Sequence, residues 1–187
     1  GKNDYLLDAA EAGPGDSVLD ATLGFGGEAS LLSWAVGSSG EVHGIEATPE
    51  LGIVVREGLQ TTITAQERLN EAMRRIRVVH LGNHLEYLSR CEDNRYDVIY
   101  FDPFFEKMLE ESQAIAPLRA FGFHQELAEE SLLQARRVAR RRVIVKTERW
   151  QESGEKMIDR FPVSGIVGSP TGKVVYHVIS ALCPQEK

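Results

Sequence analysis

Apolar and polar positions fall in two alternating kinds of block along this chain. Short segments rich in apolar residues occur at Ser17–Ala21, Glu41–Glu46, Ile76–His80, Asp97–Phe101 and Arg142–Thr147. Their length and β-branched content predict strands buried on both faces, as in a parallel sheet. Between them lie longer segments with apolar residues at helical spacing: Tyr5–Ala12, Gly26–Val36, a stretch from Thr48 to about Arg75, Asn83–Arg90, His124–Ala139 and Glu152–Arg160. In the second of these, Leu31, Leu32 and Ala35 supply a buried face. Thr48-Pro49-Glu50 has the form of a helix start, with a capping hydroxyl, a proline at the first helical position and an acid at the positive end. The β-branched run Thr61-Thr-Ile-Thr64 predicts a break in that long helical stretch. Glu106–Phe123 is irregular or partly helical.

Two last strands are expected near Val163–Val167 and Lys173–Ser180, with only Gly168-Ser-Pro-Thr-Gly172 between them. So short a connection demands an antiparallel hairpin, placed at one edge. The alternation elsewhere demands crossover units and a parallel sheet with helices on both faces. The expected fold class is therefore α/β, a Rossmann-like, doubly wound, mostly parallel seven-stranded sheet with an antiparallel C-terminal edge hairpin. The 187 residues suffice for one domain with a full core, residues 1–187, and no repeat divides them.

Composition narrows the partners. The apolar share of 42% and charged share of 26% are those of an ordinary globular chain, and no apolar run reaches membrane-span length. The first residues are too short and polar for a signal peptide, and a start at Gly1 suggests trimming. Two cysteines, Cys91 and Cys183, without metal-ligand spacing fit a reducing compartment, so a cytoplasmic location is expected. His80, His84, Glu86 and Cys91 match no zinc pattern, and no metal is expected. A net charge of -7 excludes a surface given over wholly to nucleic acid. Two basic clusters stand out: Arg136, Arg137, Arg140, Arg141, Arg142, Lys146 and Arg149, and Arg68, Arg74, Arg75 and Arg77. Each reads either as a solvated helix face or as a local phosphate-binding track.

The chemistry concentrates at predicted strand ends, where open α/β sheets bind ligands. Asp20 ends the first strand and leads through Ala21 and Thr22 into Gly24, Gly26 and Gly27, then Glu28. Glycines there allow a tight turn and close approach of a ligand to the main chain. Glu46 ends the second strand about 20 residues after the glycines, the spacing of an acid that bonds ribose hydroxyls. The third position of the dinucleotide fingerprint holds Ala29 in place of glycine. Up to this point NAD and S-adenosylmethionine fit equally. Asn83, after the third strand, is placed to bond an adenine amino group, to cap the following helix, or both. Asp102-Pro103-Phe104-Phe105 follows the fourth strand and separates the cofactors. A dehydrogenase has no use for it. A methyltransferase acting on an exocyclic amine does, since the Asp102 carboxylate accepts hydrogen bonds from the amine, Pro103 fixes the backbone and Phe104 or Phe105 stacks on a planar base. Lys146 ends the fifth strand, either reaching substrate or RNA phosphate, or snorkelling to solvent.

These residues resemble class I S-adenosylmethionine-dependent methyltransferases: Asp20-Ala-Thr-Leu-Gly-Phe-Gly-Gly-Glu28 is similar to that superfamily's first motif and Asp102-Pro-Phe-Phe105 to its fourth. The layout through Ala135-Arg-Arg-Val-Ala-Arg-Arg-Arg-Val-Ile-Val-Lys146 is similar to the small-subunit ribosomal RNA guanine-N2 methyltransferase family that carries an Asp-Pro-Met-Phe-Pro motif, and to its shorter relatives. The chain departs in reading Asp-Pro-Phe-Phe-Glu and in an N-terminal region that is absent or trimmed here. The resemblance implies S-adenosylmethionine held by Asp20, Ala21, Thr22, Gly24, Gly26, Glu28, Glu46, Asn83 and Asp102. It implies methyl transfer to a base amine of RNA at Asp102, Pro103, Phe104 and Phe105, with ribosomal RNA or a ribosomal subunit as partner. Other readings are a small-molecule or protein methyltransferase, a non-catalytic module that binds the cofactor, and, most weakly, a dehydrogenase.

Overall fold

The computed structural model describes residues 4–103, 127–149 and 157–182. In these, a seven-stranded sheet runs in the order β3-β2-β1-β4-β5-β7-β6. The strands are β1 (Ser17–Asp20), β2 (Glu41–Glu46), β3 (Ile76–Leu81), β4 (Tyr96–Phe101), β5 (Ala139–Glu148), β6 (Val163–Val167) and β7 (Val174–Ser180). The helices are α1 (Tyr5–Ala10), α2 (Gly27–Val36), α3 (Pro49–Thr61), α4 (Glu67–Arg75), α5 (His84–Arg90) and, beginning at Glu129, α6 (Glu129–Val138). Strands β1 to β5 are mutually parallel. β7 pairs antiparallel with both β5 and β6, so the hairpin is present and its second strand is the one inserted into the sheet.

Strand period explains why the apolar runs are continuous. Val18, Val98, Tyr100, Ile144 and Val178 face one core with Leu6, Leu32, Leu51, Val55 and Met73 of α1 to α4. Their neighbours Leu19, Ile99, Phe101, Val143, Val145 and Ile179 face a second core with Leu88 of α5 and Leu132, Ala135 and Val138 of α6. Both faces are thus covered, as a parallel sheet requires.

The expected break between α3 and α4 is present. Thr62 ends α3, and the buried Asn70 ties down the loop by accepting from the Thr64 amide and hydroxyl, both at 2.8 Å. Thr48 occupies the cap position of α3 but its side chain makes no capping bond; the Thr48 amide instead donates to Glu46 Oε1 at 2.9 Å.

The arginine cluster needs correction. Arg140, Arg141 and Arg142 lie on β5, which begins at Ala139 directly after α6. Arg140 pairs with Asp97 at 3.0 Å, Arg141 with Asp16 at 2.6 Å and Arg142 with Glu11 at 2.6 Å. Arg137 reaches Asp93 at 2.6 Å and the Leu88 carbonyl at 2.8 Å. These side chains serve neither a free helix face nor an open phosphate track. They brace the end of α6 and the amino end of β5 against the end of α1 and the starts of β1 and β4, the end of the sheet opposite the ligand-binding edge.

Among the described residues no helix is long and apolar enough to cross a membrane, and no group of three His, Cys, Asp or Glu is placed to hold a metal ion.

Candidate active site

The chain runs outward from β1 to β2 and β3, then returns to β4 on the other side of β1. The carboxyl ends of β1 and β4 therefore part at the switch point, the place where such sheets open a crevice. Two short bonds pin its walls. The Ala21 amide donates to the Tyr100 carbonyl at 2.9 Å, and the Asp102 amide donates to Thr22 Oγ1 at 2.6 Å. Asp102 and its buried neighbour Pro103 thus sit directly beside the turn that leaves β1.

That turn owes its path to glycine. Gly24 and Gly26 have φ of 51° and 78°, the left-handed region. A Cβ on Gly26 would also lie 3.2 Å from a Leu59 methyl of α3. The Leu23 amide donates to the Ile45 carbonyl at 2.8 Å, and the Gly24 amide donates to Glu46 Oε2 at 2.9 Å. Glu46 therefore grips the turn through one oxygen and the start of α3 through the other. It is 4% exposed, and burial raises its pKa against the pull of these backbone donors. Each carboxylate oxygen still has acceptor capacity. Asn83 is exposed, and its side chain caps α5 by accepting from the Leu85 amide at 2.7 Å.

Asp20 is 1% exposed, and its carboxylate accepts from the Thr22 amide at 3.1 Å. Burial, reinforced by the negative charges of Glu28, Asp102 and Glu46, pushes it up to about 8. Between the ordinary Asp value near 3.8 and about 8, the native chain keeps a proton that the unfolded chain has lost. Stability must then fall as pH rises across that window. We expect thermal unfolding of the cofactor-free protein to show a downward slope from about pH 4 to about pH 8 that Asp20→Asn flattens. Equal slopes in the two proteins would contradict the assignment.

Asp102 meets Lys146 of β5, whose ammonium lies 2.6 Å from Asp102 Oδ2 and 3.1 Å from Glu28 Oε1 of α2. The lysine is thus neither a snorkelling surface group nor a free phosphate contact; it is clamped between two acids. The Tyr100 hydroxyl lies nearby, fully buried and without a hydrogen-bond partner among the described residues, amid the charges of Asp102, Glu28 and Asp20. Sequence reading missed Tyr100 as a site residue, although it lies two positions before Asp102 and so on the same face of β4. Phe104 and Phe105 lie outside the described residues.

Four carboxylates, Asp20, Glu28, Glu46 and Asp102, converge here. Lys146 pairs with two of them, Asp102 and Glu28. Such a donor set suits a ligand carrying positive charge together with a ribose, which fits S-adenosylmethionine, with its sulfonium and ammonium, better than a dinucleotide bearing phosphates.

Comparison with known proteins agrees. The model of a family described as "Putative SAM-dependent methyltransferase" matches residues 1–164. The chain is 42% identical over 151 residues to the Bacillus subtilis protein YpiP, covering 81% of this chain and 58% of that protein. It is 28% identical over 142 residues to ribosomal RNA small subunit methyltransferase J of Haemophilus influenzae, covering 73% of this chain and 52% of that enzyme. The chain thus spans little more than half the length of these curated relatives. Among solved structures, the SAM-dependent methyltransferase NGO1261 of Neisseria gonorrhoeae superposes with a TM-score of 0.65 at 18% identity, over 98% of this chain and 74% of that one. The seven-stranded sheet, the acid-lined crevice and the family match lead to one conclusion: the chain belongs to the SAM-dependent methyltransferases, whose cofactor is S-adenosylmethionine.

Proposed function

We propose that this chain transfers a methyl group to an exocyclic amine of an RNA base, of the ribosomal RNA guanine-N2 type. The observation that carries this reading is Asp102-Pro103 at the carboxyl end of β4. Lys146 takes Oδ2, and Oδ1 accepts no hydrogen bond from the described residues. A carboxylate oxygen so placed accepts from an N–H of the acceptor and aims the nitrogen lone pair across the crevice. The cofactor, when bound, supplies an electrophilic methyl group. Glu46 would accept from its ribose hydroxyls, Asp20 from its ammonium, and the backbone at Gly24 and Gly26 would lie against its amino-acid portion, with Ala21, Thr22 and Glu28 lining the same turn. Asn83 would reach its adenine while still capping α5. Phe104 or Phe105 would stack on the base. The distant relative whose name includes ribosomal RNA supports the choice of acceptor. A base within a duplex would first be flipped out.

A second reading, a small-molecule or protein acceptor, draws on the arginines described above. Arg137, Arg140, Arg141 and Arg142 are spent on internal ion pairs. The test is transfer of tritiated methyl from S-adenosylmethionine to total RNA, protein extract and small-molecule extract side by side. Label in RNA, released on digestion as N2-methylguanosine, is the expected result. Label confined to either other extract rejects the RNA reading.

A further inference from the structure

Lys146 is the group this site contains that the amine-methylation reading leaves unexplained. A base amine bound in its neutral form needs no lysine to attack a methyl group, and cationic charge so close to a positively charged cofactor is unfavourable by itself. Yet the lysine is three-quarters buried and aimed inward. It links three elements: its own strand β5, Asp102 after β4 at 2.6 Å, and Glu28 in the first turn of α2 at 3.1 Å.

We propose that Lys146, braced by Glu28, is a positioning residue that holds Oδ2 of Asp102, so that Oδ1 faces the acceptor amine as a charged hydrogen-bond acceptor. This rests on the amine-methylation reading above and adds to it the device that prepares Asp102. The need for such a device is visible in the surroundings. Burial raises the pKa of Asp102, and the charge of Glu28 raises it further. Asp20 on β1 is a further acid of the same crevice, and among the described residues the Tyr100 hydroxyl on β4 and Tyr176 on β7 also belong to its titratable surroundings. Lys146 alone in this group opposes protonation, by charge and by a direct hydrogen bond. A protonated Asp102 would offer the amine a donor in place of an acceptor at one oxygen. Burial pulls the pKa of Lys146 down, but the two acids together outweigh it and raise the lysine above its ordinary range, so it stays an ammonium through neutral pH and does not act as a proton-abstracting base. Glu28 also ties the lysine to α2, at 3.1 Å from its ammonium.

The experiment is a carboxyl carbon-13 NMR titration of the full chain, with the Asp102 resonance assigned by its loss in Asp102→Asn. Spectra are taken for the wild type, Lys146→Met, Lys146→Arg and Glu28→Gln. In Lys146→Met the Asp102 titration should move to higher pH. In Lys146→Arg, which keeps the charge, it should stay near the wild-type position, and in Glu28→Gln it should move to lower pH, because the negative charge that raises Asp102 is removed. An Asp102 titration that is the same in Lys146→Met as in the wild type overturns the proposal. So does a Lys146→Arg titration that moves as far as that of Lys146→Met. If Lys146→Met does not fold, Lys146→Gln is titrated in its place, with the same upward shift expected and an unmoved Asp102 titration overturning the proposal. The parallel readout is tritiated methyl transfer to total RNA. Lys146→Met should lose about tenfold or more near neutral pH and recover part of that loss as pH rises, with Lys146→Arg near the wild type. A uniform loss at every pH would assign Lys146 a merely structural role. A wild type that binds S-adenosylmethionine but labels no RNA would refute the acceptor reading, while the NMR titration still judges the lysine.

Discussion

Asp102→Ala should lower methyl transfer by about 100-fold to 1,000-fold while the protein stays folded and still binds its cofactor. The structure favours so clean a separation. The bond that ties this segment to the turn after β1 comes from the Asp102 main-chain amide to Thr22 Oγ1, so alanine keeps it. Lys146 is not stranded either, because Glu28 remains 3.1 Å from its ammonium. The Asp102 side chain is itself 34% exposed, so its removal opens no closed cavity. What disappears is the carboxylate oxygen that would orient the acceptor nitrogen. Misplacement of a reacting group by about 1 Å costs on the order of 100-fold. Asp102→Asn retains one acceptor oxygen and should fall less far. Steady-state transfer assays together with calorimetric titration of S-adenosylmethionine check the split. Unchanged transfer in Asp102→Ala would remove Asp102 from the chemistry, and loss of cofactor binding with an intact fold would move its role to the cofactor.

Glu46→Ala should raise the dissociation constant for S-adenosylmethionine by about 100-fold or more, near 3 kcal/mol. Two losses combine. The ribose acceptor goes, and the amides of Gly24 and Thr48 lose the carboxylate they share at 2.9 Å each, so the glycine turn and the start of α3 are no longer held to one another. Glu46→Gln keeps the shape with one acceptor oxygen and should suffer less. The pH dependence gives an independent check. Burial raises the pKa of Glu46, so the ionised form that accepts from the ribose is lost on acidification at a pH above the ordinary glutamate range of about 4.5. Affinity for the cofactor should therefore decline as pH falls toward that range, and the decline should be absent in Glu46→Gln. Titration calorimetry across pH reads both. A Glu46→Ala protein that binds as tightly as the wild type would exclude ribose contact at this residue.

Much of this architecture is written locally. A central parallel strand is buried on both faces, so its apolar run must be continuous, and Val18-Leu19, Ile99-Tyr100-Phe101 and Val143-Ile-Val145 announce it without any long-range information. The end of α3 is likewise local, since Thr61-Thr-Ile-Thr64 resists helix and Thr62 ends it. Glu46 was legible through its distance from the glycines, a spacing imposed by the length of one helix and one strand. The junction of α6 and β5 was legible to within a few residues, with a helix expected to Ala139 and a strand from Arg142 against the observed Val138 and Ala139. The pairing of the arginines was not, since clustered alanine and arginine suit a helix face as well as a strand. The partners that draw Arg140, Arg141 and Arg142 into a strand are Asp97, Asp16 and Glu11, from 43 to 131 residues away.

The same distinction runs through the site. The chain by itself determined which acids end which strands, because a strand's carboxyl end is a local property, and with it the expected fold and the class of cofactor. The insertion of β7 between β5 and β6, the meeting of Lys146 with Asp102 and the burial of the Tyr100 hydroxyl among the acids were decided by the tertiary structure alone. Lys146 reaches Asp102 only because β4 and β5 pair with Phe101 opposite Val145, and the register between two strands more than 40 residues apart depends on packing that no single segment encodes.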